Sequence, residues 1–373
     1  MTSRLQVLVL DPTAFTGGSK VATESILNLL SPETVDIFVL SADSKSWSNH
    51  SYDCFHLYEL GFLANKEQGI FYFIRHLYIA CYLLIFQLRL GRIDLAIGAS
   101  GPGVDLALYI LKPILRYHII QLIHGPVAAS NTIAHCLNKA DQIYYLQSCL
   151  FSLLTALSLA KQVVLKQLPN NYHVLENGLS ANKWPKPCRH HIPVIFWSAS
   201  LLKWKGLDIF LDAVNLLPVT QRPTIKICYI SPKNSKLPLI KTVPDMLNTH
   251  WYQTPQNIDA IRSSCNIFVS SSDKEPFGLS ILEAMAAGLA IVIPADGAYW
   301  DQILVDQVNC IKYKPKDRHD LAEKIQLLSS NMQLLIRVSH QSFQLARSYR
   351  SEQRYAQLVN YINSLTTDGG SHV

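Results

Sequence analysis

Two glutamates frame the stretch KEPFGLSILEAMAAGLAIV, residues 274–292. Glu275 precedes a Pro-Phe-Gly turn, and Glu283 follows on an otherwise apolar helical pattern. Ionised carboxylates beside a buried segment are costly unless something pairs with them. Pro276 suits a first helical turn and Gly288 a C-terminal cap, so the spacing predicts a helix over about 277–287. Leu279, Leu282, Ala286 and Leu289 give that helix a core-facing stripe. Its first amides, at Phe277, Gly278 and Leu279, have no intrahelical partner and offer partial positive charge to an anion. A cation belongs to the same chemistry. Lys205 follows the apolar run VIFWSAS at a turn beside Gly206, where it would neutralise a diphosphate, and Lys203 lies two positions earlier.

Three further residues could line a ligand. Gly17 and Gly18 follow the first apolar run, LQVLVLD, and glycines let backbone approach a phosphate or sugar closely. The P-loop pattern G-x-x-x-x-G-K-[ST] cannot be drawn through TAFTGGSK, so an ordinary strand-to-helix turn is the alternative. His124 ends the run HIIQLI before Gly-Pro, as either a structural histidine or a hydroxyl ligand. GASGPG (98–103) is not the dinucleotide fingerprint G-x-G-x-x-G. No Asp-x-Asp pair occurs, so metal-bridged diphosphate binding is not suggested. No metal or cofactor is expected.

The elements that must carry these residues alternate. LQVLVLD, VDIFVLSAD, IDLAIGAS, YHIIQLIHG and QIYYLQ read as strands separated by helical patterns, including one over about 20–30 and an aromatic one near 70–90. Strands alternating with helices indicate βαβ units and a parallel sheet, and near-continuous apolar runs mean both faces are covered. SANKWPKPCRHHIP (180–193) reads as a linker. The alternation then restarts with VIFWSAS, TIKICYIS, NIFVSSS and LAIVIPA. The expected domains are 1–179 and 194–340, with a terminal helix over about 340–366 packing back on either half.

Composition sets the bounds. A chain of 373 residues suits about two domains. At 49% hydrophobic and 16% charged it is globular. Lys and Arg number 33 against 27 Asp and Glu, too weak a balance for nucleic acid but suited to anionic small molecules or an acidic membrane surface. None of the eight cysteines forms a C-x-x-C pair, which favours a reducing compartment and excludes a zinc or thioredoxin-like motif. The N-terminus shows no signal-peptide pattern. Gln142–Ala160 reads as a strand and a buried helix. Ile70–Leu90, interrupted by Arg75, His76, Gln87 and Arg89, is either a core helix covering a sheet or one lying on a membrane surface.

EPFGLSILE resembles the E-x7-E motif of the retaining, nucleotide-sugar-dependent glycosyltransferases of family four. TGGSKVATESIL, LIHGP, ENGLS and LLKWKGLDIFLDAV resemble that family's other motifs, in the family's order. The resemblance implies the GT-B fold: α/β, two Rossmann-like doubly wound parallel-sheet domains facing a deep cleft. It implies transfer of a sugar from a nucleoside diphosphate sugar to a glycan or lipid-linked acceptor, in cell-surface polysaccharide or lipopolysaccharide synthesis. Glu283 would bind the donor ribose, Glu275 and His124 the transferred sugar, and Lys205, Lys203 and the amides at Phe277–Leu279 the diphosphate. Gly17 and Gly18 would sit in the acceptor domain's phosphate loop. The acceptor would be met in the cytoplasm at the inner face of the plasma membrane. One departure stands out: the family's Gly-Arg before the lysine reads Ala199-Ser200 here, and Lys203 is the candidate substitute. A GT-B epimerase or hydrolase, and a non-catalytic partner-binding GT-B domain, remain as alternatives.

Overall fold

Apolar runs closed by turns make parallel strands buried on both faces, and the computed structural model shows that arrangement twice. It describes residues 4–14, 17–47, 52–64, 66–189, 192–232, 237–240 and 246–368. The chain forms two compact units, residues 1–178 with 354–373, and residues 179–353.

The first unit begins with β1 (Leu5–Asp11), α1 (Gly18–Leu27), β2 (Val35–Ser41), β3 (Asp53–His56) and α2 (Gly69–Leu90). It continues with β4 (Leu95–Gly98), α3 (Leu106–Leu115), β5 (His118–Ile123), α4 (Asn131–Lys139), β6 (Gln142–Tyr145), α5 (Leu150–Lys161) and β7 (Tyr172–Val174). The strands lie in the order β3-β2-β1-β4-β5-β6-β7, each pairing parallel. The order reverses at β1/β4. Register there runs Val7↔Leu95 to Leu10↔Gly98, and Val7, Val9, Leu95 and Ile97 are sealed in the core.

The second unit holds β8 (Val194–Ser200), α6 (Leu207–Leu216), β9 (Thr224–Ile230), β10 (Thr249–Gln253), α7 (Ile258–Ser263) and β11 (Ile267–Val269). After these come α8 (Leu279–Ala286), β12 (Ala290–Pro294), α9 (Tyr299–Ile303), β13 (Ile311–Tyr313), α10 (Arg318–Ser330) and α11 (Met332–Ala346). Its order, β10-β9-β8-β11-β12-β13, is again all parallel and reverses at β8/β11. Open α/β sheets bind ligands outside the carboxyl ends of the strands at such a switch point.

Several boundaries differ from expectation. Helix α8 starts at Leu279 instead of Phe277, because Gly278 adopts a left-handed conformation (φ 78°) and caps it. Pro276 therefore lies in the loop. The buried side of α8 is Ile281, Leu282, Ala284, Met285 and Ala286, with Leu279 only partly covered. The expected terminal helix is divided. Helix α11 adds Leu334, Leu335 and Val338 to the second core. A short helix, α12 (Ser351–Arg354), precedes α13 (Ala356–Asp368), and Tyr355, Leu358 and Ile362 join the first. The segment 180–189 is fixed to the second unit: Lys186 N–H donates to Asp259 at 3.1 Å and Cys188 N–H to the Ala287 carbonyl at 2.8 Å. His190 and His191 of the expected linker, and Phe15 and Thr16 of the glycine loop, lie outside the described residues. Helix α5 is half exposed, with only Leu153, Ala156 and Leu157 buried.

Candidate functional site

At the second switch point the loop after β8 meets the loop after β11. A 3-10 turn over Lys203–Lys205 ends at Gly206, whose φ of 69° suits glycine. A Cβ there would stand 2.1 Å from the Ser271 carbonyl oxygen, so only glycine lets the loops approach. Ser271 Oγ donates to the Lys205 carbonyl at 3.0 Å and accepts from Trp197 Nε1 at 3.0 Å. Asp273 N–H donates to the Trp204 carbonyl at 2.8 Å. This lacing brings Lys205 Nζ to 2.5 Å from Glu275 Oε2, with the side chains 17% and 15% exposed. The ammonium also stands 4.0 Å from the centroid of the Trp204 ring. Beside Glu275 lies a small hollow lined by Ser270, Ser272, Ile293, Asp296 and Trp300.

Glu275 is carried by a turn that its own residues anchor. Phe277 is buried against Tyr299, Trp300 and Tyr349, with ring centroids 4.8, 5.3 and 6.4 Å away. Trp300 Nε1 donates to the Gly278 carbonyl at 3.3 Å. Phe277 is thus a packing anchor, and the amides with no intrahelical partner begin at Leu279. Glu283, one turn into α8, is held by the Arg262 guanidinium on α7, whose side chain is only 5% exposed. Arg262 also pairs with Asp259 at 3.4 Å. One carboxylate oxygen of Glu283 is committed to this contact, and the side chain remains 27% exposed.

Lys203 does not stand with Lys205. It is exposed and paired with Asp208, at the start of α6.

The other candidates belong to the first unit. His124 follows β5. The residue is partly exposed, but both ring nitrogens are sealed and meet no partner among the described residues. Burial pushes its pKa down to about 4, so the ring is neutral at pH 7 and could give one hydrogen bond and accept another. Gly17 caps α1 with φ −141°, a conformation open to any residue, and Gly18 is its first helical residue. At the β1/β4 switch point sequence reading missed a buried network. Lys20 Nζ lies 3.1 Å from Asp11 Oδ2, with side chains 6% and 2% exposed. Asp11 also accepts from Ser41 Oγ, Trp47 Nε1 and Ser100 Oγ at 3.1, 3.0 and 2.8 Å. Beside it Asp105 Oδ2 accepts from Ser100 N, Gly101 N and Gln121 Nε2 at 3.0, 2.8 and 2.8 Å, while its Oδ1 meets no partner among the described residues. Burial pushes its pKa up to about 8.

Arg262, Trp204 and Trp300 were also missed. Glu283 and Gly278, the partners of Arg262 and Trp300, are remote in sequence, and a lone arginine in IDAIRSS carries no sign of the glutamate it holds.

Two doubly wound parallel sheets of this order, with acids and a lysine at the second switch point, define a GT-B fold. Residues 181–343, which lie within the second unit, match the family of glycosyl transferases group 1. The N,N'-diacetylbacillosaminyl-diphospho-undecaprenol alpha-1,3-N-acetylgalactosaminyltransferase of Campylobacter jejuni is 32% identical over 116 residues. That match spans 30% of this chain and 31% of the relative, about a third of each. Among solved structures, Anabaena HepE in complex with UDP and glucose superimposes with a TM-score of 0.75 at 16% identity, covering 97% of this chain and 100% of that one. Sucrose-phosphate synthase from Thermosynechococcus elongatus gives a TM-score of 0.75 at 12% identity, over 98% of this chain and 100% of that one. At such identities the likeness is one of fold.

Proposed function

We propose that this chain transfers a sugar from a nucleoside diphosphate sugar to a hydroxyl of a glycan or lipid-linked acceptor, with retention of anomeric configuration. The observation that carries the reading is the Lys205–Glu275 pair at the β8/β11 switch point, beside the N-terminus of α8. A diphosphate arriving there takes the Lys205 ammonium and the first free amides of α8, at Leu279 and Ser280, as charge-assisted donors. The displaced Glu275 carboxylate then accepts from hydroxyls of the transferred sugar, with Ser272 and Asp296 lining the same hollow. Glu283 keeps one oxygen on Arg262 and offers the other to the ribose. Charge on the leaving diphosphate is met by lysine and amides without a metal. Retention without an enzyme nucleophile follows if the acceptor attacks from the leaving-group face and a phosphate oxygen takes its proton. His124 is assigned to a sugar hydroxyl through its backbone, since its ring nitrogens are sealed, and the turn at Gly17 and Gly18 to the acceptor side.

The relatives support the substrate classes. HepE binds UDP and glucose, and the Campylobacter enzyme is named for a diphospho-undecaprenol acceptor. UDP is therefore the nucleotide to try first, and a lipid-linked glycan at the inner face of the plasma membrane the acceptor. All eight cysteines are free, which suits that compartment.

The test is thermal stability of wild type and Lys205→Ala with UDP, GDP, ADP and CMP at millimolar concentration. A ligand at 100 times its Kd adds about 2.7 kcal/mol. One nucleoside diphosphate should stabilise the wild type and much less the variant. Stabilisation by none would point to a non-catalytic scaffold, and release of free sugar without acceptor to a hydrolase.

A further inference from the structure

Helix α2 is apolar all round, yet only one side of it is packed. Arg75, His76, Ile79, Ala80, Leu83 and Phe86 face inward, and Phe86 stacks edge-on against Phe55 of β3 with centroids 4.8 Å apart. On the opposite side Ile70, Ile74, Leu77, Ile85 and Leu88 are exposed, Leu88 to 86%. Their spacing, completed by exposed Cys81, keeps them on one stripe along all 22 residues, roughly 33 Å at 1.5 Å per residue. Phe71 and Phe73 widen the stripe at its start, and Phe62 of the preceding loop is 67% exposed. Exposed apolar surface this continuous marks an interaction site.

We infer that this stripe lies in the plane of an anionic lipid bilayer, with the helix parallel to the surface. The helix is long and apolar enough to cross a membrane, but its inner side is committed to the sheet and carries Arg75, ion-paired with Glu59. The stripe offers almost nothing to a protein partner. Interfaces between proteins carry about one hydrogen bond per 100–200 Å². Here the flanking hydroxyls of Tyr78 and Tyr82 are already bonded to the Tyr58 and His56 carbonyls, at 2.9 and 3.1 Å. A bilayer needs no such bonds. Charge fits as well. No Asp or Glu occurs within α2, and exposed Arg89 and Arg92 follow the stripe at its C-terminal end, Arg92 with an 80% exposed side chain beside Asp94. At the other end Lys66 and Glu67 offset each other. An apolar face held parallel to the surface sits in the headgroup boundary, and arginines flanking it interact with acidic lipids. The inference goes beyond the transferase reading and stands without it, because every residue it uses belongs to the first unit.

Flotation of the full chain with vesicles tests it, using phosphatidylcholine alone and phosphatidylcholine with 30 mol% phosphatidylglycerol. Wild type should float with the acidic vesicles and less so at high salt. Leu77→Glu/Leu88→Glu should lower binding at least tenfold, while its melting temperature and its UDP-induced shift match wild type, both positions being exposed. Arg89→Glu/Arg92→Glu should lose binding on acidic vesicles only. Wild type that stays with the soluble fraction, or a Leu77/Leu88 variant that floats equally well, would overturn the inference. So would a wild-type dimer in solution that the same variant dissociates, since a second copy would then cover the stripe. Loss of the UDP shift in wild type with flotation intact would instead sink the transferase reading alone.

Discussion

The two sheets reverse order at equivalent places, β1/β4 and β8/β11, and each reversal brings a lysine to a carboxylate. In the first unit the pair is Lys20–Asp11. It is sealed, and Thr13, Ser41, Ser46, Trp47 and Ser100 take up the remaining hydrogen-bonding capacity. In the second the pair is Lys205–Glu275. It is reachable by solvent, has an aromatic ring as its other neighbour and a small hollow beside it. One topological position therefore serves the fold in one unit and is left available to a ligand in the other. A lysine-acid pair is not by itself a site. What separates the two is whether the surrounding groups have already satisfied the charges.

The sharpest way to break this comparison is to remove both lysines. Lys20→Met leaves Asp11 buried and uncompensated, which should destabilise by about 3–5 kcal/mol in urea unfolding. Lys205→Ala should leave the unfolding midpoint nearly unchanged and lower the rate of sugar transfer about 100- to 1000-fold, the effect of deleting one charge-stabilising donor. If Lys20→Met melts like wild type but abolishes transfer, the first switch point is a site as well, and the distinction drawn from burial fails.

Buried titratable atoms with no hydrogen-bond partner among the described residues, the ring nitrogens of His76 and His124 and Oδ1 of Asp105, sharpen the comparison next, since they lie in the first unit. Burial pushes His76 down to about 3 and His124 to about 4. The unfolded chain binds protons on both below about pH 6.5 while the fold does not, so stability falls as pH drops below that value. Asp105 works oppositely. Its folded pKa of about 8 lies above the unfolded value, so the fold binds the extra proton and stability rises as pH drops from 8 towards 4. The contributions offset each other over pH 7 to 5. Asp105→Asn removes the compensating one, and the variant should lose about 2 kcal/mol more than wild type over that interval in urea unfolding. Equal losses would mean that Asp105 is ionised in the fold.

A third effect concerns Glu283, which the buried Arg262 holds in place. Arg262→Lys keeps the charge but loses the fork, so Glu283 should be less well fixed. The KM for the donor should rise about tenfold with kcat little changed, the mark of binding lost equally in ground and transition states. A fall in kcat with KM unchanged would move Glu283 from the ribose to the reacting centre.

Much of this was legible in the sequence, and the parts that were not share a physical cause. The runs LQVLVLD and VIFWSAS became the central strands β1 and β8, covered on both faces and paired on both sides. The strands that escaped notice, β3, β7, β10 and β13, are the four edges of the two sheets. An edge strand pairs on one side only and can be short and half polar, as DCFH and THWYQ are, so its apolar signal fades. At the site, the loop residues Glu275 and Lys205 were readable because turn glycines and apolar helices flank them. Their pairing was not, nor was Arg262, because contacts across 70 and 21 residues leave no periodicity. Gly278 shows the limit for boundaries. A Pro at the expected first turn was outweighed by a left-handed glycine two residues later, and the helix began after it.

The smallest expected effect concerns Lys203. The family pattern places an arginine before the lysine where this chain has Ala199-Ser200, and Lys203 is the nearest cation that could replace it. In the structure it is 59% exposed and engaged with Asp208, an arrangement of the kind that contributes between nothing and about 1 kcal/mol. Lys203→Ala should therefore change stability by less than about 0.5 kcal/mol and the KM for the donor by less than about threefold. Asp208→Asn separates the two roles. If Lys203 is only a surface partner, both variants behave alike. If Lys203→Ala raises KM tenfold while Asp208→Asn lowers it, the lysine leaves the aspartate for the diphosphate when donor binds, and the second switch point works with two cations in the bound state.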